Sequence, residues 1–211
     1  KKAMLAWINI QIPMYKITNF TTDWNNGKAL CGLVDQIKLG VCSNHMGLDK
    51  NNGLENCIMG MDLAEKHLKV PQVLFPADMN NPMVDELSVM TYLSFFFGPA
   101  NERLVQWLKQ KLPEKKISNL NTDWNDGTSL ALLINRCYAD LITDHATYLP
   151  ANPVDNLKRV FQVGDDNLGI SCLISAKEFS APDLDEIVAA CYLWSIKLSD
   201  RKAKGLKMTG E

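Results

Sequence analysis

The sequence predicts an all-α protein: two helical bundles in tandem, with four main helices in each. Three observations predict it. First, one register shift superimposes the halves without a gap: Trp7 on Trp107, Pro13 on Pro113, TTDWNNG (21–27) on NTDWNDG (121–127), Tyr92 on Tyr192. Second, apolar residues recur at the spacing of one helix face. Third, no segment alternates with period two for long enough to make a sheet. The repeat is too long for a solenoid unit and has the length of a small domain. The boundaries expected from it are 1–98, 99–200 and a polar tail over 201–211.

The first helix carries its stripe at Met4, Trp7, Ile8 and Ile12, and again at Leu104, Trp107, Leu108 and Leu112; Pro13 and Pro113 stop it. Ile17 and Ile117 are inward anchors in the irregular stretch that follows. The second helix is expected to open near the TDW triplet, where Thr or Asp can cap free N–H groups. It buries Leu30, Leu33, Val34 and Ile37, matched by Leu130, Leu133, Ile134 and Cys137. Gly27 and Gly127 fall early in it, where glycine costs about 1 kcal/mol relative to alanine. The same cost in both copies predicts that another helix crosses closely there.

The third helix is expected over 52–68, with Leu54, Cys57, Met61, Ala64 and Leu68 on one face. Its partner presents Val154, Leu157, Phe161, Gly164 and Leu168 after the cap and first-turn proline Asn152-Pro153. The fourth is expected to begin at Asn81-Pro82 and Ala181-Pro182. Its body, LSVMTYLSFFF or IVAACYLWSI, is apolar all round, which places it at the centre of a bundle. Trp7, Trp24, Trp107, Trp124 and Trp194 read as core residues.

Composition excludes several function classes. A net charge of −2 sets up no global field for nucleic acid. The six cysteines form no C-x-x-C pair and read as buried free thiols of a reducing compartment. No apolar run is long enough to span a bilayer, and no signal peptide is visible. The chain opens on Lys-Lys and reads as a piece of something longer. LDKNNGLE (48–55) misses the calcium-loop register, because its glycine stands fifth and not sixth. His45 and His145 lack companion ligands at zinc spacing and read as structural hydrogen-bonding residues. No nucleophile-elbow, P-loop or Rossmann fingerprint appears, so neither an enzyme nor a cofactor is expected.

W-I-x-x-x-I-P (7–13), ITNF, DWNNGKALCGLVD, VPQVLFP and PMVDELSVMTYLS together resemble a calponin homology domain over residues 3–97. WLKQKLP, NTDWNDGTSLALLI, PVDNLKRVF and PDLDEIVAACYLW carry the likeness over 103–198. Both units resemble the second-type domain of filamin-like actin-binding regions. The resemblance implies a non-catalytic, cytoplasmic, cytoskeletal module that binds filamentous actin. Because the first-type domain holds most of the affinity in this family, two second-type units imply weak or contributory binding, and an upstream first-type domain is a possible neighbour. The alternative is a structural spacer or regulatory docking module that binds another protein or that upstream domain.

In the second-type domains that both units resemble, the first helix is the one laid toward actin, so the resemblance implies Lys2, Asn9 and Gln11, then Lys109, Gln110 and Lys111, as actin-facing residues. Lys115 and Lys116 extend this lysine cluster and suit phosphoinositide headgroups. A second cluster, Lys197, Arg201, Lys202, Lys204 and Lys207, reads as a solvated tail. Only Gly98, Pro99 and Ala100 are expected to connect the units, Pro99 stiffening the joint and Gly98 leaving a pivot.

Overall fold

The computed structural model describes residues 1–206. Every regular element among them is helical. The chain divides into one unit containing Lys1–Arg103 and another containing Leu104–Leu206.

The first unit holds α1 (Lys2–Gln11), α2 (Lys28–Ile37), α3 (Gly53–Leu68), a short α4 (Pro76–Asn80) and α5 (Glu86–Ser94). The division falls inside α6 (Phe97–Lys111). The second unit continues with α7 (Thr128–Cys137), α8 (Pro153–Leu168), a short α9 (Ala176–Phe179) and α10 (Glu186–Ala203). Short 3-10 turns at Pro13–Tyr15, His45–Gly47 and His145–Thr147 punctuate the loops. The two short helices, α4 and α9, add to the four expected per unit.

In the first unit α2 is the buried rod: every residue from Ala29 to Ile37 is buried, and α3 packs along it. Each fully buried Leu or Ile there contributes about 1.5–3 kcal/mol relative to exposure. Trp7, Trp24, Phe20 and Tyr92 complete that core. The second unit centres on α10, whose residues from Val188 to Trp194 are all buried. Tyr92 and Tyr192 are both buried, but their aromatic neighbours stand at unmatched positions: Phe96 edge-on at 5.5 Å for Tyr92, Phe161 at 4.9 Å and Phe179 at 6.4 Å for Tyr192.

Four expectations need correction. The second helix opens at Lys28 and Thr128, four residues after the TDW tryptophan, because Asp23 and Asp123 spend their carboxylates on the preceding loop. The fourth helix opens at Glu86 and Glu186, capped by Asp85 and Asp185, which accept from the Ser88 and Ile187 N–H groups. In the first unit that helix is central along one side only: Val89, Tyr92 and Leu93 are buried, but Leu87 is 68% exposed. Gly98, Pro99 and Ala100 are helical, forming the first turn of α6, where a missing proline N–H leaves no helix bond broken.

Candidate functional site

The repeated sentence around DWN is a loop knot. Asp23 Oδ2 accepts from the Thr18 N–H (2.7 Å), the Thr18 hydroxyl (2.9 Å) and the Asn19 N–H (3.1 Å). Asp123 Oδ2 repeats this on Ser118 and Asn119 at 2.6–3.0 Å. Partial burial pushes both carboxyls up, and these hydrogen bonds more than offset it, so both end below the usual carboxylate range. Asn19 Oδ1 accepts from the Thr21 and Asp23 N–H groups, while Trp24 Nε1 donates to the Asn19 carbonyl at 3.1 Å. Trp124 and Asn119 form the same bond at the same length. Asn25 donates to the Met79 and Asn81 carbonyls, and Asn125 to Ala181. These repeated polar residues are structural: they fasten the loop before α2 or α7 to the chain at the end of the short helix α4 or just past α9.

Gly27 and Gly127 take positive φ (71° and 79°) at the caps of α2 and α7. The crossing helix is present in both units. A Cβ on Gly27 would stand 2.6 Å from Asn56, and one on Gly127 2.8 Å from Asn156. Asn56 and Asn156 then use their amides on two carbonyls each, Asn26 and Asp49, and Asp126 and Leu149.

The first helices present fewer polar side chains than their position implies. Lys2, Lys109 and Gln110 are exposed. Asn9 turns its amide inward, donating to the Leu5 and Ile17 carbonyls at 3.0 and 2.7 Å. Gln11 is only 1% exposed, and its amide has no hydrogen-bond partner among the described residues. Lys111 is drawn into a buried ion pair with Asp200 at 2.9 Å, its side chain 15% exposed. Gln11 therefore offers no face to a partner, and Lys111 offers little. Lys115 and Lys116 are exposed just beyond α6. Lys109, Gln110, Lys115 and Lys116 thus belong to one stretch of the second unit.

The tail cluster is less solvated than expected. Lys204 joins Asp200 at 2.7 Å, which raises the lysine above its ordinary value, chiefly through that hydrogen bond. Lys197 stands 4.2 Å over the Trp194 ring and 6.0 Å over Trp107, while Lys111 also covers Trp107 at 5.6 Å. Trp107 is accordingly half-buried, unlike the fully buried Trp7, because lysine stems cover its outer face. Lys207 lies outside the described residues. Asp200 was invisible as an anchor in the sequence, since its register mate is Ala100; that mismatch was the one available signal.

His45 is fully buried and takes a 2.6 Å hydrogen bond between its Nδ1 and the Tyr15 hydroxyl. Burial lowers the imidazole below its ordinary value, so it is neutral near pH 7. Among the described residues no cluster of His, Cys, Asp and Glu is arranged to hold a metal, and no helix is long and apolar enough to cross a membrane.

Comparison with known proteins places these features. The calponin homology (CH) domain matches residues 1–102 and again residues 98–201. Filamin-C of Rattus norvegicus and of Mus musculus are each 45% identical over 96 residues, 46% of this chain and 4% of the relative. Filamin-A of Drosophila melanogaster is 43% identical over 94 residues, 44% of this chain and 4% of the relative. The chain thus spans a small fraction of the filamins it matches. A solved structure, the actin-crosslinking core of Schizosaccharomyces pombe fimbrin, aligns over 95% of this chain and 47% of that one, at 18% identity and a TM-score of 0.41.

Proposed function

Because this chain belongs to the calponin homology family, with two CH domains in tandem, we propose that it is a non-catalytic actin-filament-binding module of a filamin-like cytoskeletal crosslinker. The observation that carries this is the pairing itself: two copies of one domain, with filamin relatives at 43–45% identity. Binding is weak or contributory, since both units resemble the second type. The contact runs through the exposed first-helix residues Lys2, Lys109 and Gln110, with Lys115 and Lys116 adding screened positive charge toward an acidic filament surface. Asn9, Gln11 and Lys111 keep the first helices in shape and do not touch the filament. The two units act additively, gaining avidity only where both can engage.

Co-sedimentation with filamentous actin tests this. The whole chain pellets with a Kd on the scale of tens of micromolar, worth roughly 6 kcal/mol. The double variant Lys109→Glu with Lys115→Glu pellets several-fold less while keeping its helical signal. A chain that stays in the supernatant at tens of micromolar filament (the same ~6 kcal/mol scale) overturns direct binding.

A further inference from the structure

Lys115, Lys116 and Ser118 are exposed together on the chain between α6 and α7, and only Ile117 between them is buried. The two lysines lie three and two residues before the serine hydroxyl. No other serine or threonine of the sequence has lysine or arginine at both of those positions. The neighbouring acid, Glu114, is already paired with Arg136 at 2.6 Å.

Ser118 is also a member of the Asp123 knot. Its N–H donates to Asp123 Oδ2 at 2.6 Å, and its hydroxyl donates to the same oxygen at 3.0 Å. Asn119 Nδ2 donates in turn to the Ser118 hydroxyl oxygen at 3.3 Å. The first unit has Thr18 at this place, with the same two bonds to Asp23. There the preceding positions hold Tyr15, whose hydroxyl is bonded to His45, and the single lysine Lys16. The two units share the knot and differ in the charge in front of it.

We infer that Ser118 is a phosphorylation site for a serine/threonine kinase that selects basic residues two and three positions before the hydroxyl, and that the phosphate unties the Asp123 knot. Selection rests on charge: an acidic kinase groove draws in Lys115 and Lys116 together, whereas Thr18 offers it one lysine. In the transfer, Ser118 Oγ attacks the γ-phosphorus of ATP. The Oγ–P bond forms as the bond from that phosphorus to the β,γ-bridging oxygen breaks. ADP leaves, and the hydroxyl proton passes to the kinase's catalytic aspartate. The effect on the fold follows from the two bonds to Asp123. The phosphorylated oxygen has no proton left to donate. In its place a group of about −1.5 to −2 charge stands beside the Asp123 carboxylate. The like charges repel, which drives the phosphate away from Asp123 and toward Lys115 and Lys116. The same loop carries the fully buried Trp124, so loosening it weakens the second unit.

The experiment incubates the whole chain with magnesium ATP and the catalytic subunit of cyclic-AMP-dependent protein kinase, which prefers basic residues at these two positions. Tryptic mapping locates the phosphate, and urea unfolding reads stability. One phosphate is expected, on Ser118 within the peptide 117–136, with Thr18 unmodified. Replacing Lys115 and Lys116 together by alanine slows the transfer by about tenfold or more. The phosphorylated chain unfolds at lower urea than its parent. Its midpoint falls further than that of Ser118→Ala, which loses the hydroxyl bond without gaining charge. In an Asp123→Asn background phosphorylation lowers the midpoint less, because the carboxylate charge is gone. Three results overturn the proposal: a native chain that takes no phosphate on Ser118, transfer to Thr18 at an equal rate, or a phosphorylated chain whose midpoint matches that of Ser118→Ala. Mapping on the unmutated chain needs no variant to fold, and none of these readouts involves the filament.

Discussion

Gly27 and Asn56 lie so close that a single methyl group on the glycine would stand 2.6 Å from the asparagine backbone. The glycine also holds a φ of 71°, in the left-handed region that an L side chain adopts only at a cost of about 1–2 kcal/mol. Gly27→Ala is therefore expected to destabilise the first unit by about 2–4 kcal/mol, strain and overlap together. Gly127→Ala is expected to cost less, since its nearest atom is a Cβ at 2.8 Å and its nearest backbone atom lies at 3.1 Å. Urea unfolding of the two variants checks the order; equal midpoints would refute it.

The Asp23 and Asp123 knots make stability depend on acid. Both carboxyls titrate below their ordinary range in the folded state, because hydrogen bonds from residues 18 and 19, or 118 and 119, outweigh partial burial. A depressed folded pKa contributes stability that is present above the unfolded value of about 4 and is lost as pH falls through the folded one. Asp23→Asn is expected to cost about 1 kcal/mol at pH 7 after solvent screening, and progressively less as pH falls below about 4. Unfolding midpoints measured across pH 2–7 for the variant and its parent should converge at the acid end.

His45 gives a second, independent pH limb. Burial lowers its imidazole; Asp35 pulls upward and Lys28 downward. Its contribution is full above the unfolded value of about 6.5 and is lost as pH falls through the lowered one. His45→Gln should flatten the stability profile between roughly pH 5 and 7, where Asp23 is silent. Tyr15→Phe removes the hydrogen-bond partner of Nδ1 and should cost about 1 kcal/mol at neutral pH. A profile unchanged by His45→Gln in that window would contradict the assignment.

The sequence made the repeat, the all-helical class and the close approach at Gly27 legible, because each is written twice. The Gly27 argument reached the close approach from a premise that failed, since Gly27 and Gly127 stand outside their helices as left-handed caps and not inside them. What stayed hidden depends on side chains choosing between partners. Thr22 and Asp23 look like caps for α2, but three donors from residues 18 and 19 compete for the Asp23 carboxylate and win, so the helix starts later. Lys111 reads as an exposed lysine near a helix end until Asp200, eighty-nine residues away, claims it. Gln11 occupies a polar position by composition and a buried one by packing. Gly98 and Pro99 read as a connector because local propensity favours a break there, yet both residues fit the first turn of a helix, where neither weakness is tested.

The Lys111–Asp200 pair lets one unit supply the control for the other. In the second unit Asp200 is 3% exposed and holds Lys111 at 2.9 Å and Lys204 at 2.7 Å. At the matching positions the first unit has Gln11 and Ala100, both buried and uncharged. Asp200→Ala alone strands the largely buried Lys111 ammonium, which should cost about 3–5 kcal/mol. Lys111→Gln alone leaves Asp200 with Lys204 as its remaining partner and should cost less. The double variant recreates the first unit's pair, so its loss should fall short of the sum of the singles by at least about 1 kcal/mol. Denaturant unfolding of all four proteins closes the cycle. Strict additivity would mean that the two side chains do not stabilise each other, and that the lysine is held by Trp107 alone.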